Sequence, residues 1–208
     1  MNNKRYEICP QMIDYDNMSL DYTPYIMFFN KRNYISNSCN TDEYGFRFTY
    51  KNSRRIGFKD FKIENCKKSI IVGGSTAFGV GATSDNKTIS SFLNDNDEIL
   101  YFNFAGRALN SFQELTNLML YNSYLKNVEN IIFISGINDL SLYYCSDNYN
   151  EITGSFFSQS IYNKLLSAPN YKNLSMKMKI FYIKKQLCNF ILNRDTILKK
   201  QQINNLNK

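Results

Sequence analysis

Ser75 stands in a glycine-rich stretch, Gly73-Gly-Ser75-Thr-Ala-Phe-Gly-Val-Gly81, that directly follows an apolar run. A serine hydroxyl at a strand-to-helix turn can attack a carbonyl carbon as a nucleophile. The stretch is equally compatible with a glycine-rich turn that binds nothing. It does not match a Walker A phosphate loop, a Gly-x-Gly-x-x-Gly dinucleotide fingerprint or the Gly-x-Ser-x-Gly elbow of α/β-hydrolases.

Two further segments follow apolar runs and carry hydrogen-bond donors. They are Asn103-Phe-Ala-Gly106-Arg-Ala108 and Gly136-Ile-Asn138-Asp139. Because loops at the carboxyl ends of parallel strands converge, we expect these donors to lie near Ser75. Donors held around the oxygen of a tetrahedral intermediate are worth about 3 kcal/mol each in acyl transfer. Asp139 could bond to the Ser75 loop and aim Asn138, or could serve as a helix cap or turn residue.

The three segments together resemble the first three sequence blocks of the SGNH (GDSL-like) serine ester hydrolases. The matching elements are Gly-Gly-Ser-Thr, Asn-x-x-Gly and Gly-x-Asn-Asp, and the similarity covers roughly Asn40 to Leu142. The resemblance implies that Ser75 is the nucleophile, that Asn138 donates to the oxyanion through its side chain and that Gly106 donates through its backbone. The register of the second block also allows Ala108 as the backbone donor. Supporting positions are Asp139, Gly74 and Gly136.

The family's general base is a histidine in a fourth block, Asp-x-x-His, and this sequence contains no histidine. A serine hydroxyl needs a base within hydrogen-bond reach, and the loss of that base can cost on the order of 10⁶ in turnover. Two explanations fit: a truncated chain, or a complete non-catalytic relative. We favour truncation. The predicted sheet has only three parallel strands, and a single truncation would account for both the missing strands and the missing histidine.

The resemblance implies a hydrolase that acts on ester bonds, including deacetylation of a bacterial surface glycan, with impaired activity in this chain. An O-acetyltransferase of the same fold and a catalytically inactive binding protein are the alternatives. The substrate is expected to be a small-molecule or glycan ester. Neither a cofactor nor a metal is implied, no nucleic-acid partner is expected, and the oligomeric state stays open.

The predicted strands and helices that position these residues indicate an α/β fold. Three short apolar runs followed by turns predict parallel strands at Ser69–Gly74, Glu98–Ala105 and Asn130–Ser135. A capping box that begins at Ser111 predicts a helix, and Thr88–Leu93 is a weaker helix candidate. The resemblance implies a flavodoxin-like three-layer sandwich with a parallel sheet, here incomplete, plus a C-terminal helical segment.

The chain divides into three predicted parts. Residues 1–68 form strands and loops that cover the core, residues 69–145 form the SGNH-like α/β core, and residues 146–208 form a basic helical segment. The net charge is +7, and its excess lies in this last part. An amphipathic helix near Leu174–Leu198 could contact an anionic surface or be solvated with its apolar face packed on the core. Its lysines are Lys177, Lys179, Lys184 and Lys185.

The cellular location is predicted from what the sequence lacks. The first fifteen residues have no apolar run typical of a secretory signal, and no stretch approaches the roughly 18 apolar residues of a membrane span. Five scattered cysteines form no Cys-x-x-Cys pair, which favours reduced, mostly buried thiols. We therefore expect a cytoplasmic protein.

Overall fold

A computed structural model describes residues 4–145 of the chain. The strands of this part are β1 (Leu20–Thr23), β2 (Met27–Asn30), β3 (Thr49–Lys51), β4 (Arg54–Ile56), β5 (Lys68–Gly73), β6 (Leu100–Asn103) and β7 (Val128–Ile134). The α-helices are α1 (Lys4–Ile8), α2 (Met12–Asn17), α3 (Phe58–Ile63), α4 (Ser75–Phe78), α5 (Ile89–Asn96), α6 (Ser111–Tyr121) and α7 (Ile137–Cys145). The predicted basic helix and its lysines lie outside the described residues.

Three parallel strands in the order β6-β5-β7 form the central sheet. All six residues of β5 are buried, as expected of a middle strand that is covered on both faces. The sequence therefore predicted the α/β class and all three strands correctly. Each strand begins and ends within two residues of its predicted position. Because the three strands are parallel, their carboxyl ends meet at one edge of the sheet, as expected.

Residues 4–67 pack on both faces of this sheet and supply much of its core, with Phe46 in one cluster with Ile70 on one face and Tyr15 in another with Ile71 on the other. Two antiparallel hairpins, β1-β2 and β3-β4, and the short helices α1, α2 and α3 make up this segment. The prediction named strands and loops only; the helices are an addition. Aromatic rings dominate the packing, and Phe46 stacks on Phe104 with ring centroids 4.6 Å apart. Burial of this kind contributes roughly 25 cal/mol per Å² of apolar area.

The N-cap of helix α6 is Asn110, one residue earlier than the predicted cap. Asn110 accepts a hydrogen bond from Gln113 N, and the Gln113 side chain accepts one from Asn110 N, which completes a capping box. The predicted cap at Ser111 is therefore wrong by one position. Both Asn-x-x-Gln and Ser-x-x-Glu match the capping pattern, and the geometry selects the first. The weaker prediction near Thr88 is confirmed as α5, with the Thr88 side chain as its cap.

Strand β7 occupies an edge of the sheet within residues 4–145, and its apolar side chains are partly exposed. Ile131 and Phe133 pair with Ile70 and Val72, so they lie on the α6 side of the sheet. They are 46% and 55% exposed, because α6 packs over the middle strand rather than over β7. No helix within residues 4–145 is long and apolar enough to cross a membrane.

Candidate active site

Ser75 lies at the carboxyl end of the middle strand, where the chain passes from β5 into α4. Gly73 takes a left-handed φ of +154°, and a β-carbon there would lie 2.1 Å from the carbonyl oxygen of Ile134. Only glycine therefore allows the end of β7 to approach the turn this closely. Ser75 is half-buried, and its hydroxyl makes no hydrogen bond with any residue of the described part. Within residues 4–145, no residue occupies the hydrogen-bonding positions of this hydroxyl.

The side-chain amide of Asn138 lies directly against the serine turn. A β-carbon on Gly74 would stand 2.6 Å from Asn138 Nδ2, which glycine at this position makes room for. Asn138 Nδ2 donates to the carbonyl of Leu109 at 2.7 Å. A carboxamide nitrogen carries two hydrogens, so one remains to donate to a bound group. The structure thus brings the predicted nucleophile and the predicted amide donor into neighbouring positions.

Gly106 makes its backbone hydrogen bond to the protein itself. Its N–H donates to the carbonyl of Gly73 at 3.0 Å, which ties the loop after β6 to the end of β5. A β-carbon on Gly106 would lie 2.6 Å from Leu109 Cδ1 and 2.7 Å from Phe29 Cε2. In this structure Gly106 is therefore a close-packing residue whose N–H is already satisfied. Its predicted role as an oxyanion donor would require that bond to break.

Ala108, the alternative donor, has a free N–H. Its φ is +59°, in the left-handed region that disfavours a β-carbon, and its N–H has no hydrogen-bond partner in the described part of the chain. The following residue, Leu109, places its carbonyl oxygen 3.5 Å from the position of a β-carbon on Gly74. The loop therefore passes beside the serine turn, and the backbone N–H groups of both Ala108 and Leu109 have no acceptor within residues 4–145.

Asp139 contacts the start of α6 rather than the Ser75 loop. Its carboxylate accepts from Ser111 N at 3.1 and 3.2 Å and from Ser111 Oγ at 2.6 Å. Gly136, at the junction of β7 and α7, has a φ of +105° that favours glycine. Asp139 and Gly136 thus shape the segment that carries Asn138, and neither of them bonds to Ser75.

A buried arginine, Arg47, binds the C-terminal end of helix α4, the helix that begins at Ser75. Arg47 is fully buried and donates to the carbonyls of Phe78 and Gly79 at 3.2 and 2.8 Å, at the C-terminal end of α4. Its Nε pairs with Asp85 Oδ1 at 2.8 Å. These bonds satisfy carbonyls that the end of a helix leaves without partners. Residues of the N-terminal segment thereby fix the turn that presents Ser75.

Two more side chains complete this anchor. Asn103 Nδ2 donates to the carbonyls of Ala77 and Phe78, each at 3.2 Å. Tyr15 donates its hydroxyl to the carbonyl of Ala82 at 2.6 Å, and burial raises its pKa to about 12. The sequence did not single out Arg47 or Tyr15 as supports of the site, since both reach it from distant elements. Asn103, taken from the second block, supports the turn from behind.

The arrangement offers the parts of an oxyanion site next to a free hydroxyl. Ser75 supplies the hydroxyl, Asn138 one amide hydrogen and Ala108 one backbone N–H. Within residues 4–145, no group of three His, Cys, Asp or Glu side chains could hold a metal ion. Such a site suits acyl transfer, in which negative charge develops on one oxygen.

The fold and the site define an α/β chain with a serine at the carboxyl end of its middle parallel strand. Comparison with protein-family models and with curated proteins finds no match for this chain.

Proposed function

We propose that this chain is a serine ester hydrolase of the SGNH type, built on a flavodoxin-like three-layer sandwich. The observation that carries the proposal is the contact between the serine turn and Asn138, whose Nδ2 stands 2.6 Å from a β-carbon built on Gly74. Residue 74 follows β5 and residue 138 lies at the start of α7, just after the neighbouring strand β7; the loop after β6 adds the backbone N–H of Ala108. A turn that binds nothing has no need of two free donors beside a free hydroxyl.

Each residue has a proposed role in the reaction. The Ser75 oxygen attacks the ester carbon, the hydroxyl proton passes to a base, and the carbonyl oxygen becomes negatively charged. Asn138 donates its remaining amide hydrogen to that oxygen, and Ala108 donates its N–H. We assign the backbone donor to Ala108 because the Gly106 N–H is bonded to Gly73. When the tetrahedral intermediate collapses, the bond to the alcohol oxygen breaks, the base returns its proton to the departing alcohol, and the acyl group stays on Ser75 until water hydrolyses it and restores the hydroxyl.

Turnover in this chain is proposed to be impaired, because the sequence has no histidine to accept the serine proton. Oxyanion donors lower the barrier even without a base, but a neutral hydroxyl attacks slowly near neutral pH. The proposed substrate class is an acyl ester, including an O-acetyl group on a bacterial surface glycan. An O-acetyltransferase would use the same acyl-serine and pass the acyl group to a sugar hydroxyl instead of water.

Hydrolysis of p-nitrophenyl acetate with added imidazole tests the proposal, because imidazole can replace the missing base. Without imidazole, the chain and Ser75→Ala should give equal background rates. With imidazole, the chain should exceed Ser75→Ala by roughly tenfold, a small part of the 10²–10⁴-fold that a positioned base supplies. Asn138→Ala should remove most of this excess, and the exposed neighbour Thr76→Ala should retain it.

Equal rates for the chain and Ser75→Ala at every imidazole concentration would contradict the hydrolase proposal. The second candidate, an inactive binding protein on the same scaffold, is favoured by the absence of histidine. It predicts equilibrium binding of an acetylated oligosaccharide, measured by calorimetry, that Ser75→Ala leaves unchanged. Loss of binding in Asn138→Ala would place the ligand at the proposed oxyanion site.

A further inference from the structure

Glu114 of α6 is a buried carboxyl group that accepts a partly buried hydrogen bond from the segment that carries Asn138. Its Oε1 accepts from Ser135 Oγ at 2.9 Å, immediately after β7 ends. Glu114 is only 1% exposed, and its Oε2 has no partner within residues 4–145. A carboxyl group buried with one oxygen unsatisfied is costly to the fold. Its presence on a helix face that packs against the sheet therefore calls for an explanation beyond packing.

Three bonds tie the segment of Asn138 to the loop and first turn of α6. Ser135 bonds to Glu114, Asn138 to the carbonyl of Leu109, and Asp139 to Ser111. The first lies three residues before Asn138 and the last one residue after it, so Asn138 is bracketed on both sides. Between them, Gly136 has open space around the position of a β-carbon. Packing alone leaves this junction room to move.

We propose that Glu114 is a positioning residue that aims the Asn138 amide at the Ser75 turn through Ser135. The amide has one internal hydrogen bond of its own, so its direction depends on where the backbone between Ser135 and Asp139 is held. Glu114 holds this backbone at Ser135, and Ser111 holds it at Asp139. The proposal rests on the proposed oxyanion role of Asn138, and Glu114 itself touches no reacting atom.

Two features favour this role over a purely structural one. Glu114 bonds to Ser135, in the segment that carries Asn138. Gln113, on the same helix turn, instead donates to the carbonyl of Ile26 in the core. Burial raises the pKa of Glu114, the bond from Ser135 lowers it, and the charge of Asp139 raises it. Asp139 is thus the ionisable group that acts on Glu114 from α7, and both carboxyls belong to the same set of bonds.

The test follows the Asn138 side-chain amide by NMR on protein labelled with ¹⁵N-asparagine, so it does not depend on activity. The Asn138 signal is assigned by its loss in Asn138→Gln. Glu114→Ala and Ser135→Ala should each shift this signal and speed its exchange with water by roughly three- to tenfold, as expected for one lost hydrogen bond. Glu114→Gln keeps an acceptor oxygen and should preserve the signal.

The amides of Asn30 and Asn94 are buried, make no hydrogen bond to the serine turn or to α7 within residues 4–145, and serve as internal controls, since they should not move. Glu129→Ala, which removes an exposed glutamate from β7, is the matched control variant. The double variant Glu114→Ala with Ser135→Ala should match either single one, because both remove the same bond. An unshifted Asn138 amide in both single variants, with the control amides in place, would overturn the proposal. Failure of the esterase assay with a shifted amide would contradict only the proposed function.

Discussion

Arg47 and Asp85, 38 residues apart in the sequence, form an ion pair of 2.8 Å in which both side chains are buried. The same arginine holds two carbonyls at the end of the helix that begins at Ser75. The pair therefore links the N-terminal segment to the candidate site, and removal of one partner leaves a buried charge uncompensated.

Asp85→Asn should lower the free energy of unfolding by about 3–5 kcal/mol, as expected when one member of a buried pair is removed. Arg54→Met is the matched control, because Arg54 pairs with Glu64 at the surface and such pairs are worth less than about 1 kcal/mol. Urea denaturation followed by circular dichroism measures both. Similar decreases in unfolding free energy for the two variants would mean that the buried ion pair stabilises the fold no more than the surface pair does.

Gly74→Ala should displace the Asn138 amide, because the new β-carbon would stand 2.6 Å from its nitrogen. Overpacking of this kind costs roughly 1–3 kcal/mol. Adding Asn138→Ala should recover part of that loss, with a coupling of about 0.5 kcal/mol or more in a double-mutant cycle. Gly57→Ala, which meets Phe48 instead, should show no coupling to Asn138→Ala.

Ala108→Gly should stabilise the protein by roughly 0.5–1 kcal/mol, because alanine is strained at a φ of +59° and glycine is not. Ala82→Gly, at a position without positive φ, should destabilise instead. Thermal unfolding of the two variants gives opposite shifts in Tm if the left-handed conformation at Ala108 is present in solution. Shifts of the same sign would argue against it.

The strands of the central sheet were predicted more accurately from the sequence than the side-chain contacts around the sheet were. Apolar runs marked β5, β6 and β7, because a covered parallel strand must be apolar on both faces. The cap of α6 was misplaced, since Ser111 and Glu114 imitate a capping box while their side chains serve Asp139 and Ser135. Local patterns cannot show that a side chain is already committed to a distant partner.

The proximity of Asn138 to the serine turn was predicted from the same strand pattern, whereas the roles of Ser75 and Asn138 stay predictions. Blocks that follow strands indicated that Ser75 and Asn138 would be neighbours, and strand order then brought them together. The Arg47–Asp85 pair could not be predicted, because a buried arginine carries no local signature and its partner lies in a loop after Gly81. The choice between Gly106 and Ala108 required knowledge of which N–H was already bonded.

Stability should depend on the ionisation of Glu114, whose pKa is raised by burial above its ordinary value. Between the two values the folded state binds more protons than the unfolded state, so the free energy of unfolding falls as pH rises through the folded pKa. Glu114→Gln should remove this contribution. The difference in unfolding free energy between the chain and Glu114→Gln, measured in urea from pH 4 to 8, should therefore favour the variant increasingly as pH rises. A difference independent of pH would contradict the assignment.

Cys39 should resist alkylation in the folded protein, because burial raises the pKa of its thiol to about 12. At pH 8 its thiolate fraction is then on the order of one in ten thousand. Cys66 is exposed and should react with iodoacetamide under the same conditions. Peptide mapping by mass spectrometry, with a urea-unfolded sample in which both react, distinguishes the two. Equal labelling in the folded state would show that Cys39 is accessible.

The side-chain bonds from Arg47 and Asn103 reach the serine turn at the carbonyls of Ala77, Phe78 and Gly79. The Ser75 hydroxyl takes no part in these bonds within residues 4–145. Chemistry and structural integrity therefore reside in different atoms of the same turn. Substitution of Ser75 should therefore change the proposed reaction and leave the bonds that hold the turn in place.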